Sequence, residues 1–325
     1  MRSLVVLCVA VLFVGSANAE AARVEIPIHQ TVLRGGWIRY SIPLRLGTTD
    51  VEAMLDTGST GLRILPGTLA PGDYTASHSS TAYPYGSGVE LTGVTARGAL
   101  ALGALTSGSP VTFIAVQSVG CVDRIPDCAA SRISQEDFRI GGDGLKGQGF
   151  KAIFGINLVS TEVDNPLIAM GVESWIVLLP VPGDTVPGKL VLNPSADETA
   201  GYSLFHLADP RHATFLPGCI VADDLQQKIC GRVVLDSGAP GIMVASREAI
   251  ASFPWPSGTE VTFVVQNEEG RQSGMRFKSG SEASYAVRLN RKWAAPFVRI
   301  SGAAPFLWLS VLYDAKASVI GLKPR

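Results

Sequence analysis

Two acidic loops stand out by composition and spacing. Val51-Glu52-Ala53-Met54-Leu55-Asp56-Thr57-Gly58-Ser59 and Gly231-Arg232-Val233-Val234-Leu235-Asp236-Ser237-Gly238-Ala239 both lead from an apolar run into Leu-Asp-(Thr/Ser)-Gly, with the aspartates 180 residues apart. Gly58 and Gly238 tolerate the backbone angles of a sharp turn, so each carboxylate stands at a strand tip. Thr57, Ser59 and Ser237 bring hydroxyl donors beside the carboxylates, whereas Ala239 brings none. One such tetrapeptide reads as an ordinary turn with a solvated aspartate. Two of them, one in each half of the chain, suggest a joint task. Carboxylates held face to face cannot both ionise, and the pair shares one proton near its working pH. The ionised member activates a water. The protonated member hydrogen-bonds to the carbonyl under attack, and a proton then passes to the leaving amine. No covalent intermediate is needed, and the titration belongs to the pair rather than to either residue.

The elements that must carry these loops are strands. The 325 residues suit two domains of roughly 150 residues each. Each acidic loop is followed by an apolar run ending in glycine, Ala152-Ile153-Phe154-Gly155 in the first half and Val298-Arg299-Ile300-Ser301-Gly302 in the second, which reads as an approximate duplication. Apolar and polar residues alternate along Arg39 to Leu46 and Val261 to Val265, as in half-buried strands. Helical periodicity is poor, and the clearest short helix candidates are Ser134 to Phe138 and Ser246 to Phe253. With 35 glycines and 20 prolines the chain has the texture of short strands joined by tight turns. The expectation is an all-β protein of two strand-rich lobes, residues 20–180 and 181–325, divided at Pro180-Val181-Pro182-Gly183-Asp184.

The first 19 residues read as a cleavable signal peptide, with Arg2, an apolar stretch from Leu4 to Val14, and the A-x-A site Ala17-Asn18-Ala19. The expected location is therefore secreted or periplasmic, without stable membrane insertion. Cysteines Cys121, Cys128, Cys219 and Cys230 remain after cleavage, and their even number suggests disulfides. Three pairings are open, of which Cys121–Cys128 and Cys219–Cys230 cost the least loop closure. No metal or cofactor is expected, since there is no C-x-x-C and the four histidines (His29, His78, His206, His212) are scattered. Gly142 to Gly147 matches G-x-G-x-x-G but lies between a polar loop and a strand, so it reads as a surface loop. A net charge of -1 with no basic run gives no reason to expect a nucleic-acid partner.

Taken together, these motifs resemble the pepsin family of aspartic peptidases, and the resemblance extends loosely over nearly the whole mature chain. Tyr40 to Gly47 looks like the strand entering the first catalytic loop. Tyr85-Gly86-Ser87-Gly88 looks like the tip of the family's flap, with Gly93 and Val94 to Leu102 as its return strand. Ala152 to Gly155 and Ile300 to Gly302 look like the elements that support each loop. Leu312-Tyr313-Asp314 and Val319 to Leu322 look like the closing strands. The resemblance implies a bilobal, pseudo-twofold fold around a cleft that binds an extended peptide or protein substrate. It implies Asp56 and Asp236 as catalytic residues, Thr57 and Ser237 locking the loops together, Ser59 donating to Asp56, and Tyr85 covering the cleft. A monomer suffices, because one chain holds both loops, and a propeptide is not expected. Three departures stand out. Ala239 replaces the usual Ser or Thr, Arg63 replaces a Trp that packs beside the flap tyrosine, and Pro240-Gly241 follows the second motif. Arg63 would stack on Tyr85, select an acidic substrate side chain, or lie solvated. A catalytically weak or inactive binding or inhibitor protein is the alternative.

Overall fold

The computed structural model describes residues 22–159, 161, 163–183, 185–207, 214–246, 255–267, 269–280, 285–290 and 297–325. The expected signal peptide and nearly all of the helix candidate at Ser246 to Phe253 lie outside them. The described chain is predominantly β. Its first half forms β1 (Val24–Val32), β2 (Ile38–Leu46), β3 (Thr49–Asp56), β4 (Thr60–Ile64), β5 (Tyr74–Pro84), β6 (Val89–Gly98), β7 (Leu100–Leu102), β8 (Leu105–Thr106), β9 (Val111–Cys121), β10 (Ala152–Ile156) and β11 (Ser174–Leu178). Its second half forms β12 (Gly188–Leu192), β13 (Ser203–His206), β14 (Leu216–Ala222), β15 (Gln227–Leu235), β16 (Ile242–Ala245), β17 (Glu260–Gln266), β18 (Gln272–Lys278), β19 (Val287–Asn290), β20 (Arg299–Gly302), β21 (Leu309–Asp314) and β22 (Val319–Pro324). Two one-turn helices, α1 (Pro166–Ala169) and α2 (Ala196–Thr199), complete the regular elements used below.

The strands form a 15-stranded sheet and a 7-stranded sheet, and the same local pattern occurs in both. In the larger sheet β10 runs parallel to β3 and antiparallel to β4, and β4 runs parallel to β9. In the smaller one β20 runs parallel to β15 and antiparallel to β16, and β16 runs parallel to β19. The duplication legible in the sequence is thus a duplication of topology. Burial explains the composition of the supporting strands. All five residues of β10 are buried, as a strand covered on both faces requires, whereas β17 alternates buried and partly exposed residues along its length.

The division expected at 180–184 falls between β11 and β12, which are neighbouring antiparallel strands of the larger sheet. That sheet joins chain ends as well as middle, since β12 also pairs with β1, and β11 pairs with β21. The helix expected at Ser134 to Phe138 is a hydrogen-bonded turn, with Phe138 N–H donating to the Ser134 carbonyl at 3.0 Å. Such a short segment has too few bonds to offset helix nucleation. The disulfides are Cys121–Cys128 and Cys219–Cys230. The second bridges facing residues of the β14–β15 ladder.

Asp73 ties the start of the β5–β6 hairpin to the turn between β2 and β3. Its Oδ1 accepts from Thr48 N–H (2.7 Å) and Thr48 Oγ1 (2.8 Å), and its Oδ2 accepts from Thr49 Oγ1 (2.5 Å) and Ala70 N–H (2.8 Å). The Thr49 hydroxyl first, then the Thr48 donors, hold this carboxyl well below the usual range. Its stabilising effect is therefore present above about pH 4 and is lost as pH falls below the ordinary carboxylate range. Asp73→Ala is expected to lower Tm at pH 7, with the gap to wild type shrinking towards pH 2, as read by thermal melts across pH.

Candidate active site

Both acidic loops sit at the carboxyl ends of strands, Asp56 closing β3 and Asp236 following β15. The parallel neighbours fix their height. Gly155 of β10 pairs with Asp56, and Asp236 N–H donates to the carbonyl of Gly302 at 3.1 Å. Reciprocal hydrogen bonds join the loops. Thr57 N–H donates to Ser237 Oγ (3.0 Å) and Ser237 N–H to Thr57 Oγ1 (2.9 Å). The Thr57 hydroxyl donates to the Leu235 carbonyl and the Ser237 hydroxyl to the Leu55 carbonyl, each at 2.8 Å. All four donors and acceptors lie in a buried environment, where unmade hydrogen bonds are costly.

The glycines let the carboxyls meet. A Cβ on Gly58 would lie 2.4 Å from Asp236 Cγ, and one on Gly238 would lie 2.8 Å from Asp56 Oδ1. Each glycine therefore packs beneath the partner loop's carboxyl. Gly58 N–H donates to Asp56 Oδ1 (2.8 Å), and Ser59 Oγ donates to Asp56 Oδ2 (2.5 Å). Gly238 N–H donates to Asp236 Oδ1 (3.0 Å). The Ala239 methyl has no hydroxyl to match that of Ser59, so the pair is asymmetric. Burial is the main cause that pushes the Asp236 carboxyl up, to about 7, and the Asp56 charge adds to it, while the Arg299 charge opposes both. The direction of this shift favours the protonated form of Asp236, within a pair whose titration is shared. An Ala239→Thr variant supplies the missing donor to the charged form. It is expected to move the alkaline limb of any dyad-dependent rate about one pH unit towards acid. A pH–rate profile identical to wild type would count against this account of the asymmetry.

No model of a known protein family matches the chain, and no curated protein matches it.

The dyad opens into a cleft of about 580 Å³ that also meets Tyr85, Gly86 and Ser87. These residues form the tip of the β5–β6 hairpin. Tyr85 N–H donates to the Val89 carbonyl (2.8 Å), and Gly88 N–H donates to the Tyr85 carbonyl (2.9 Å). The return strand begins at Val89, earlier than the Gly93 expected from sequence. Gly88 has φ +90° and packs on Ile125, where a Cβ would lie 2.7 Å from the Ile125 Cβ. Ile125 lies inside the Cys121–Cys128 loop, so the first disulfide braces the hairpin tip. Val89, Leu91, Ile125 and Cys128 share one buried cluster, against which Tyr85 packs.

Arg63 is 2% exposed and is not a solvated side chain. Its guanidinium lies 3.7 Å from the Tyr83 ring centroid and 5.8 Å from that of Tyr85, and the two tyrosine rings meet edge to face at 4.9 Å. The stack expected on Tyr85 therefore falls chiefly on Tyr83. Nη1 is held by the Thr60 carbonyl at 2.9 Å. Burial raises the Tyr85 hydroxyl's pKa, and the nearby Arg63 charge opposes that rise. Arg63→Leu is expected to loosen the hairpin and raise KM about three- to thirtyfold, in keeping with ~0.5–2 kcal/mol for a desolvated cation–π contact. An unchanged KM would remove Arg63 from this role.

Sequence reading missed several parts of the site. Asn157 clamps the first loop, its Nδ2 donating to the Thr57 carbonyl (3.0 Å) and its N–H to the Ser59 carbonyl (2.9 Å). Its position just after β10 was the available signal. The Gly142–Gly147 stretch is a loop, as expected, but it also borders the cleft through Asp143. Pro240 directs its carbonyl to Arg288 at 3.1 Å, and Gly241 adopts φ +67°, which fits the unusual dipeptide after the second motif. Among the described residues no group of His, Cys, Asp and Glu could hold a metal, and no helix is long and apolar enough to cross a membrane.

Proposed function

We propose that this chain is an exported, monomeric aspartic endopeptidase of the pepsin type, with Asp56 and Asp236 as its catalytic pair. The observation that carries this reading is the pair of acidic loops locked by Thr57 and Ser237, with each glycine lodged beneath the other loop's carboxyl. The repeated β3–β10–β4 and β15–β20–β16 topology supports the bilobal, pseudo-twofold arrangement of that family. The cleft supports an extended polypeptide substrate, with the Tyr85 hairpin over it.

In this reading Asp56, which accepts from Gly58 N–H and Ser59 Oγ, carries the negative charge and draws a proton from a water held between the carboxyls. Asp236 holds the shared proton and donates it to the oxygen of the scissile carbonyl. As the tetrahedral centre collapses and the C–N bond breaks, Asp56 passes the proton taken from water to the departing amine, and Asp236 takes its own proton back from a hydroxyl of that centre. Thr57 and Ser237 keep both carboxyls in place through these steps and touch no substrate.

The test is the binding of a statine-containing peptide, which mimics the tetrahedral centre. Transition-state mimics bind far more tightly than substrates only where the reacting groups are assembled. Binding at least a hundredfold tighter than that of the matching unmodified peptide, and lost in Asp236→Ala, is the expected result. Equal binding of both peptides would favour the inactive binding-protein alternative.

A further inference from the structure

Away from the dyad, the cleft is lined by five arginines and two aspartates, so its wall is strongly basic although the whole chain is nearly neutral. Two of these arginines come together from opposite ends of the sequence. Arg39, on β2, has a side chain only 7% exposed. Its Nε donates to the Gly141 carbonyl (3.0 Å) and its Nη2 to Asp143 Oδ1 (2.8 Å), while its Nη1 is buried with no hydrogen-bond partner. Arg288, on β19, donates through Nη2 to the Pro240 carbonyl in the loop that carries Asp236, and its Nε is likewise buried and unpartnered. The Trp37 ring lies 3.8 Å from the Arg288 guanidinium carbon and fixes its plane. Burial first, and the charge of Arg39 second, lower the Arg288 pKa to about 10, which still leaves it charged at any working pH.

The buried Arg39 guanidinium and the half-buried Arg288 guanidinium therefore repel each other in the cleft, and one carboxylate, Asp143, which is hydrogen-bonded to Arg39, offsets part of that repulsion. Two like charges lining one cleft favour a second carboxylate beside them, which would relieve the repulsion through charge-assisted hydrogen bonds. We propose that Arg39 and Arg288 form a specificity subsite of this cleft that takes an acidic side chain of the substrate close to the scissile bond. The subsite rests on the peptidase reading given above. A glutamate or aspartate carboxylate would pair with the guanidinium groups of Arg39 and Arg288 where they line the cleft, with its methylenes against Trp37. A lysine at the same place would meet two like charges, so the site rejects bases as well as selecting acids.

The test uses peptides with both ends blocked, so that only side chains carry charge. Glu, Gln or Lys is placed in turn at each position from four before to four after a bond the mature chain cleaves. At one position the Glu peptide is expected to exceed the Gln peptide at least tenfold in kcat/KM, with the Lys peptide below both. In Arg288→Met the Glu-to-Gln ratio at that position is expected to fall below about two. The ratio is internal to each protein, and the wild-type ratio alone tests the preference should the variant fail to fold. An active wild type with no position favouring Glu, or a preference unchanged in Arg288→Met, would overturn the proposal. A chain that cleaves nothing would sink the peptidase reading, but the subsite is then read by fluorescence anisotropy of the same peptides carrying a label. Tenfold tighter binding of a Glu peptide, lost in Arg288→Met, would uphold it, and equal binding would overturn it.

Discussion

Asp236→Asn is expected to lower kcat/KM for peptide cleavage at least about a thousandfold, because it removes the proton that one member of the pair must give up and take back. The same substitution is expected to change how stability varies with pH. In the folded chain the Asp236 carboxyl stands at about 7, against 3.8 for an ordinary aspartate. Between those values the folded state binds more protons than the unfolded one, so stability falls as pH rises. The contribution is fully present below about pH 4 and is lost as pH passes 7. Asparagine cannot ionise, so the variant is expected to melt higher than wild type at pH 8 and to show a flatter curve of Tm against pH. Parallel curves for the two proteins would mean that Asp236 is not held protonated by burial and by Asp56.

The second large effect comes from one methyl group. In Gly58→Ala the new Cβ would sit 2.4 Å from Asp236 Cγ, 2.5 Å from Oδ1 and 2.7 Å from Oδ2. All three separations are shorter than side chains tolerate, and Asp236 cannot retreat because Ser237 is tied to Thr57 and Leu55. The loops must spread, and a displacement of about 1 Å in a reacting group costs on the order of a hundredfold in rate. A loss of at least that size in kcat/KM is expected, together with weaker binding of the statine peptide. Gly108→Ala is the control, since a Cβ there meets no atom within 4 Å. Near-wild-type cleavage by Gly58→Ala would show that the carboxyls do not work as a contacting pair.

The site's centre was legible in the sequence because its chemistry is local. A strand, an aspartate, a hydroxyl and a glycine are contiguous, and finding them twice reveals the pair. The alternation in Val261 to Val265 identified β17 for the same reason, whereas Arg39 to Leu46, also read as half-buried, is a strand whose residues Arg39 to Ile42 are all buried because β2 is covered on both faces. What surrounds the pair depends on contacts between distant segments. Arg63 was ambiguous because Tyr83, the ring it rests on, reaches it only through the β5–β6 hairpin. Arg39 and Arg288 belong to different sheets, and no sequence interval announces their meeting. Pro180, Pro182 and Gly183, read as marking a division, lie between two strands that pair with each other, since Pro and Gly mark any sharp change of direction. Residues 134–138 carry a helical pattern too short to propagate beyond one bond.

The most direct measurement is digestion of a denatured protein mixture by residues 20–325 from pH 3 to 8, beside Asp56→Ala and Asp236→Ala. Cleavage by the wild type that is blocked by a statine peptide and absent in both variants is the predicted result. A well-folded wild type that cleaves nothing at any pH, or cleavage that survives loss of either aspartate, would contradict the account.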